Sequence, residues 1–183
     1  YAAPNAHSGL AKAYDGSFNL SEDEWKERLT DTQFRVLRQK ATDPKGLTRE
    51  LGGFDDLFEP GQYICAGCNA PLYMGSMKFD CGCGWPGFWT NIQDAVYAQP
   101  DKDGVRREIV CNRCGSHLGH CYRNEGFGYA TEERQCVDSV AVVFIPEQSP
   151  ELPIRCTYTG PVWMTSFRLS PEQRATTLEN FIL

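Results

Sequence analysis

The chain has 183 residues, of which 41% are hydrophobic and 23% charged, the size and mix of one globular domain with or without appended ends; this excludes a disordered chain. Its longest apolar run, Val140 to Ile145, is six residues long, far short of the roughly 20 that span a bilayer, so a soluble protein is expected. The net charge of -6 is shared evenly between residues 1–60 and the remainder, which leaves no basic patch and excludes nucleic acid as the main partner.

In chain order, the first signals are helical. Ser21 reads as an N-cap with Glu24 closing a capping box, and Leu20 with Trp25 forms the matching hydrophobic staple. The device repeats with Thr30 and Gln33, stapled by Leu29 and Phe34. Two short helices are therefore expected, ending near Pro44, with their apolar residues clamped onto a core. From Pro60 onward short β-like runs are broken by Gly, Pro and Asn, the texture of a mainly antiparallel β domain. The clearest strand is expected from Gln135 to Ile145, with Arg134, Cys136, Asp138, Val140 and Val142 on one face. Beyond Pro146, Ser170 is expected to cap a last short helix, with Pro171 at its first position.

Nine cysteines cannot pair completely within a monomer. Cys65-x-x-Cys68 and Cys111-x-x-Cys114 lie 42 residues apart, and each sets two thiolates on a tight turn, the arrangement of a closed structural zinc site in a reducing compartment. A local alternative uses Cys111, Cys114, His117 and His120, which would leave Cys65 and Cys68 as a redox pair. Cys81, Cys83, Cys121, Cys136 and Cys156 remain outside the two knuckles. Among them Cys136 has the best local chemistry, because Arg134 two residues away favours the nucleophilic thiolate. Cys83 sits in a glycine-bent loop beside Trp85, a flat apolar wall. His117 and His120 follow the second knuckle and are able to exchange protons near neutral pH.

Cys65-Ala66-Gly67-Cys68, Gly82-Cys83-Gly84-Trp85-Pro86, Cys111-x-x-Cys114 with His117-Leu118-Gly119-His120, and Arg134-x-Cys136-Val137-x-Ser139 follow one another in an order that resembles the methionine-R-sulfoxide reductases, the B class. The resemblance covers residues 20–146, leaving 1–19 and 147–183 as terminal extensions. It implies a β-tent fold of two antiparallel sheets with short N-terminal helices, a structural zinc on Cys65, Cys68, Cys111 and Cys114, and thioredoxin as reductant. It also implies Cys136 as nucleophile, Cys83 as resolving thiol, Trp85 as the wall for the substrate methyl, His117 and His120 around the sulfoxide oxygen, and Arg134 beside the nucleophile.

The implied reaction converts a methionine-R-sulfoxide in an oxidised protein to methionine, leaving a sulfenic acid on Cys136 that Cys83 closes into a disulfide. A monomer is expected, in the cytoplasm, or in an organelle if a targeting segment precedes Tyr1. The sequence departs from the family at Asp138, where Asn is usual, at Cys81 for Ser, at Cys121 for an aliphatic residue, and at Glu132-Glu133 before the nucleophile. Asp138 is expected either to sense the Cys136 sulfur and raise its pKa or to bind a nearby backbone amide. The competing class is a non-catalytic zinc-dependent binding module; a zinc hydrolase or deaminase lacks both an open metal position and an H-x-E motif.

Overall fold

Both capping boxes form. In the computed structural model, which describes residues 8–147, the Ser21 hydroxyl accepts from the Glu24 amide while the Glu24 carboxylate accepts from the Ser21 amide at 2.8 Å, opening α1 (Glu22–Arg28). Thr30 and Gln33 exchange the same pair of bonds at the start of α2 (Asp31–Leu37). Helices of 7 residues are too short to persist alone in water. Burial holds them: Trp25, Leu29, Phe34, Val36 and Leu37 are inside, and the Arg38 guanidinium lies over the Trp25 ring at 4.7 Å. The second helix stops at Leu37 rather than near Pro44. Arg38 ends its last turn and Lys40 takes a left-handed backbone, φ 58°, so the chain has left the helix before proline is reached.

Among the described residues nine short strands follow: β1 (Gly61–Cys65), β2 (Pro71–Met74), β3 (Lys78–Phe79), β4 (Gly87–Phe88), β5 (Val96–Pro100), β6 (Arg107–Cys111), β7 (His117–Arg123), β8 (Glu133–Val137) and β9 (Val142–Pro146). They build a three-stranded sheet, β2-β1-β9, and a six-stranded sheet, β3-β4-β8-β7-β6-β5, antiparallel at every pair. The expected mainly β fold of two antiparallel sheets is what the chain adopts. Aromatic rings join the sheets. Tyr73 of β2 stacks on Phe88 of β4 with centroids 4.1 Å apart, and Tyr63 of β1 meets Phe88 edge-on at 5.1 Å and Phe144 of β9 at 4.9 Å. The Tyr73 hydroxyl donates to Gln135 Oε1 at 3.0 Å, so a fully buried ring still satisfies its polar end.

The strand expected from Gln135 to Ile145 is instead two strands in different sheets, β8 and β9, separated by a 3₁₀ turn at Ser139–Ala141. The break has a local cause. At Asp138 the backbone amide donates to the Leu118 carbonyl at 2.8 Å, the side chain accepts the Asp43 amide at 3.0 Å, and Ser139 Oγ accepts the Phe54 amide at 3.1 Å. Three bonds to three separate segments pull the chain out of one ladder and into the other. The single strand face expected to run from Cys136 through Val140 to Val142 therefore ends with β8.

Ahead of α1, Ala11, Gly16 and Phe18 donate backbone bonds to Val96, Asn112 and Arg113, laying this segment along β5 and the second knuckle. Among the described residues no helix is long and apolar enough to cross a membrane. Cys156 and the helix expected from Ser170 lie outside the described residues.

Candidate functional site

Cys65 ends β1 and Cys111 ends β6, so the two knuckles stand at matching hairpin turns of the two sheets. In each, the amide after the second cysteine donates back to the first cysteine's carbonyl at 2.8 Å, from Asn69 to Cys65 and from Gly115 to Cys111. The four sulfurs are buried and lie within 4.8 Å of one another, with Cys65–Cys114 at 3.7 Å and Cys68–Cys111 at 3.6 Å. A tetrahedral ion with metal–sulfur bonds of about 2.3 Å requires sulfurs about 3.8 Å apart, so the set fits such an ion with no position left open. Arg113 and Arg38 donate to the Cys68 and Cys114 carbonyls, supplying positive charge beside thiolates. The local alternative does not form, because His117 and His120 are committed to carboxylates and Cys65 and Cys68 face the second knuckle.

Near the end of β8, three further sulfurs lie together. Cys83 Sγ lies 3.3 Å from Cys136 Sγ and 2.9 Å from Cys81 Sγ, and it touches the Trp85 carbonyl at 3.2 Å. Thiol protons donated by Cys136 and Cys81 favour the Cys83 anion, as does the Arg134 guanidinium, so the cluster releases one proton far below the ordinary thiol range. The next is held far above it, because Cys136 donates that proton to Cys83 and is buried beside the charge. Arg134, two residues from Cys136 on β8, is clamped in a bidentate pair by Glu125 at 2.6 and 2.8 Å and lies over the Tyr122 ring at 4.2 Å. Trp85 is aimed by Asp43, whose Oδ1 accepts its indole N–H at 2.7 Å, while Asp43 Oδ2 accepts the Val140 amide at 3.1 Å.

The two histidines owe their meeting to a bulge. Residues three apart on a regular strand face opposite sides, but Ile109 pairs with Gly119 and Val110 with His117, which leaves Leu118 as the extra residue of a β-bulge. The rings then come to 5.5 Å. Gly119 makes this possible: its φ is +145° and a Cβ there would collide with the Cys136 carbonyl oxygen. His120 pairs with Cys136 across the β7–β8 ladder, so both side chains leave one face of the sheet, and its Nε2 contacts Asp101 Oδ2 at 2.9 Å. His117 is buried, with Nδ1 on Glu108 Oε1 at 2.8 Å. Burial lowers its pKa although Glu108 pulls the other way, so this ring is neutral at pH 7. Glu108 is raised by burial but more strongly lowered by its bonds to Lys40, Gln99 and His117, and it stays ionised.

Asp138 lies just past the end of β8. It is buried, accepts the Asp43 amide as the second expectation had it, and points Oδ2 at His117 Nε2 from 3.6 Å. Burial pushes its carboxyl up to about 8. Cys121 pairs with Gln135, on the side of the sheet away from Cys136; it is buried, and burial raises its thiol to about 11.

Residues 29–146 match the SelR domain family. Peptide methionine sulfoxide reductase B5 of Arabidopsis thaliana is 46% identical over 132 residues, which cover 72% of this chain and 92% of that protein. The chain belongs to this family. The chloroplastic B2 reductase of the same plant is 47% identical over 131 residues, and the chloroplastic B3 reductase of Oryza sativa subsp. japonica 49% over the same length; each match covers 72% of this chain, but only 63% and 56% of the relatives, respectively. The chain thus spans less than two thirds of these two proteins.

Within a SelR domain built this way, several supporting side chains have no signature in the sequence. Asp43, Asp101, Glu108 and Glu125 orient Trp85, His120, His117 and Arg134, yet each comes from another loop or strand and belongs to no motif. The only cue is weak: Asp43 precedes Pro44, a stop for helix, so its side chain was free to serve elsewhere. Glu132, in the stretch where a glycine-containing approach is usual, takes a left-handed backbone at φ 52°. Glu133 beside it is buried and paired with Arg123.

Proposed function

We propose that the chain reduces the R epimer of methionine sulfoxide in proteins to methionine, as a peptide-methionine (R)-S-oxide reductase. One observation carries the reading: a Cys83–Cys136 sulfur contact of 3.3 Å beside the fixed Arg134 cation, which a binding module would not require. Cys136 attacks the sulfoxide sulfur and takes its oxygen as a sulfenic acid, while methionine leaves with the electron pair. Cys83 then attacks the Cys136 sulfur, forming the disulfide and expelling the oxygen as water. Thioredoxin returns two electrons and two protons by exchange.

Trp85 contacts the substrate methyl. His120, opposite Cys136, meets the oxygen. Neutral His117 backs it, and Asp138 acts through His117 and Asp43 rather than on sulfur. Zinc, bound by Cys65, Cys68, Cys111 and Cys114, has a structural role. Residues 20–146 form the catalytic domain, which works as a monomer. The relatives include chloroplastic proteins, so an organelle is as suitable a location as the cytoplasm.

Dithiothreitol-supported turnover of separated R and S epimers of N-acetylmethionine sulfoxide tests this. Only the R epimer should be consumed, and Cys136→Ser should abolish all product. Cys83→Ser should release about one methionine per chain and stall with thioredoxin. Activity that survives Cys136→Ser, or equal use of both epimers, overturns the reading.

A further inference from the structure

Cys81 has no place in the two-thiol cycle, yet its sulfur is nearer to Cys83 than Cys136 is, at 2.9 Å against 3.3 Å. Cys83 is therefore the middle of three sulfurs. Resting on the proposed reduction, we infer that Cys81 is a relay thiol that attacks Cys83 in the Cys83–Cys136 disulfide and transfers the bond to Cys81–Cys83.

The exchange balances without an added oxidant. Cys81 loses its proton and its thiolate attacks the Cys83 sulfur; the Cys81–Cys83 bond forms as the Cys83–Cys136 bond breaks. Cys136 leaves as a thiolate beside Arg134 and takes up the proton Cys81 gave away. Cys81 is oxidised and Cys136 reduced, with no net change. In the resting state the Cys81 thiol is held high chiefly by donating to Cys83, a bond that ends once Cys83 is part of a disulfide.

The chain between the two cysteines permits the ring. A disulfide requires Cα atoms about 4.4–6.8 Å apart, which an extended tripeptide exceeds or barely meets, but Gly82 bends the backbone with φ +66° and has open space around it. Gly82 is exposed while Cys136 is paired on both sides within the six-stranded sheet. Transfer therefore moves the oxidised bond from the sheet to the accessible loop, where an external dithiol can attack in line. Cys121, buried on the other side of the sheet, cannot take this part.

Burst stoichiometry reads the relay. Fully reduced protein carrying Cys156→Ser, freed of reductant, is given excess N-acetylmethionine-R-sulfoxide, and product per chain is counted. With Cys81 intact, the first cycle ends in Cys81–Cys83 and frees Cys136 for a second, so two products per chain are expected. Cys81→Ser and Cys81→Ala should each release one, a twofold drop. Peptide mapping after one equivalent should find two hydrogens lost within the peptide that holds Cys81 and Cys83. One product per chain with Cys81 intact, and Cys83–Cys136 as the bond found, would overturn the relay while leaving the reduction standing. No product from any of these chains would overturn the reduction, and the relay with it.

Discussion

Burial and charge act on single groups here with opposite results. The Arg134 guanidinium stabilises an anion shared by Cys83 and Cys136, so Arg134→Gln should raise the pH at which that anion forms. Iodoacetamide alkylation of the reduced protein at pH 6 should slow several-fold, and the acidic limb of kcat/KM should move to higher pH. Asp138 is governed by burial instead. Its carboxyl titrates near 8 when folded and near 3.9 when unfolded. Between those values the folded state keeps a proton the unfolded state has lost, so rising pH costs stability across that window. Asn is able to accept the same Asp43 amide without titrating. Asp138→Asn should therefore be more stable than the parent by an amount that grows by about 3 kcal/mol from pH 5 to pH 8, roughly 10 °C in thermal midpoint. A difference in midpoint that does not change with pH would refute the burial argument.

At the scale of elements, the β7 bulge is what turns two histidines three residues apart into neighbours. The extra residue, Leu118, also gives its carbonyl to the Asp138 amide, so one irregularity both assembles the imidazole pair and ends β8. Gly119→Ala should cost at least about 2 kcal/mol, because the backbone is strained for any L side chain and Cβ meets the Cys136 carbonyl. Thermal melts read that loss. Activity should fall further than stability alone explains, since regular pairing would turn His117 to the other face. The short helices behave more simply, and Thr30→Ala should cost about 1 kcal/mol through the lost cap.

For the molecule as a whole, the four-cysteine set ties a turn of the three-stranded sheet to a turn of the six-stranded sheet, within the same buried cluster that holds Tyr63, Tyr73, Phe88 and Phe144. Purified protein should hold one zinc per chain by elemental analysis. Chelation should free four thiols to a colorimetric reagent and lower the thermal midpoint, because metal binding is coupled to folding. Cys65→Ser with full metal content and an unchanged midpoint would show that the sheets do not depend on this tie.

Local chemistry made part of this protein legible from its residues alone. Capping at Ser21 and Thr30 depends on contacts three residues away, and C-x-x-C turns bring their own thiolates together, so both are written in short spacings. The pairing of Cys83 with Cys136 was reachable only through resemblance, because 52 intervening residues carry no periodic signal. What tertiary structure decided were the long-range choices. Whether the chain after Val137 stays in its sheet depends on hydrogen-bond partners at Leu118, Asp43 and Phe54, which no alternation of side chains encodes. In the same way Asp43, Glu108 and Glu125 became partners of Trp85, His117 and Arg134 only when the strands were in register. Register is a property of two strands, and a single sequence shows one strand at a time.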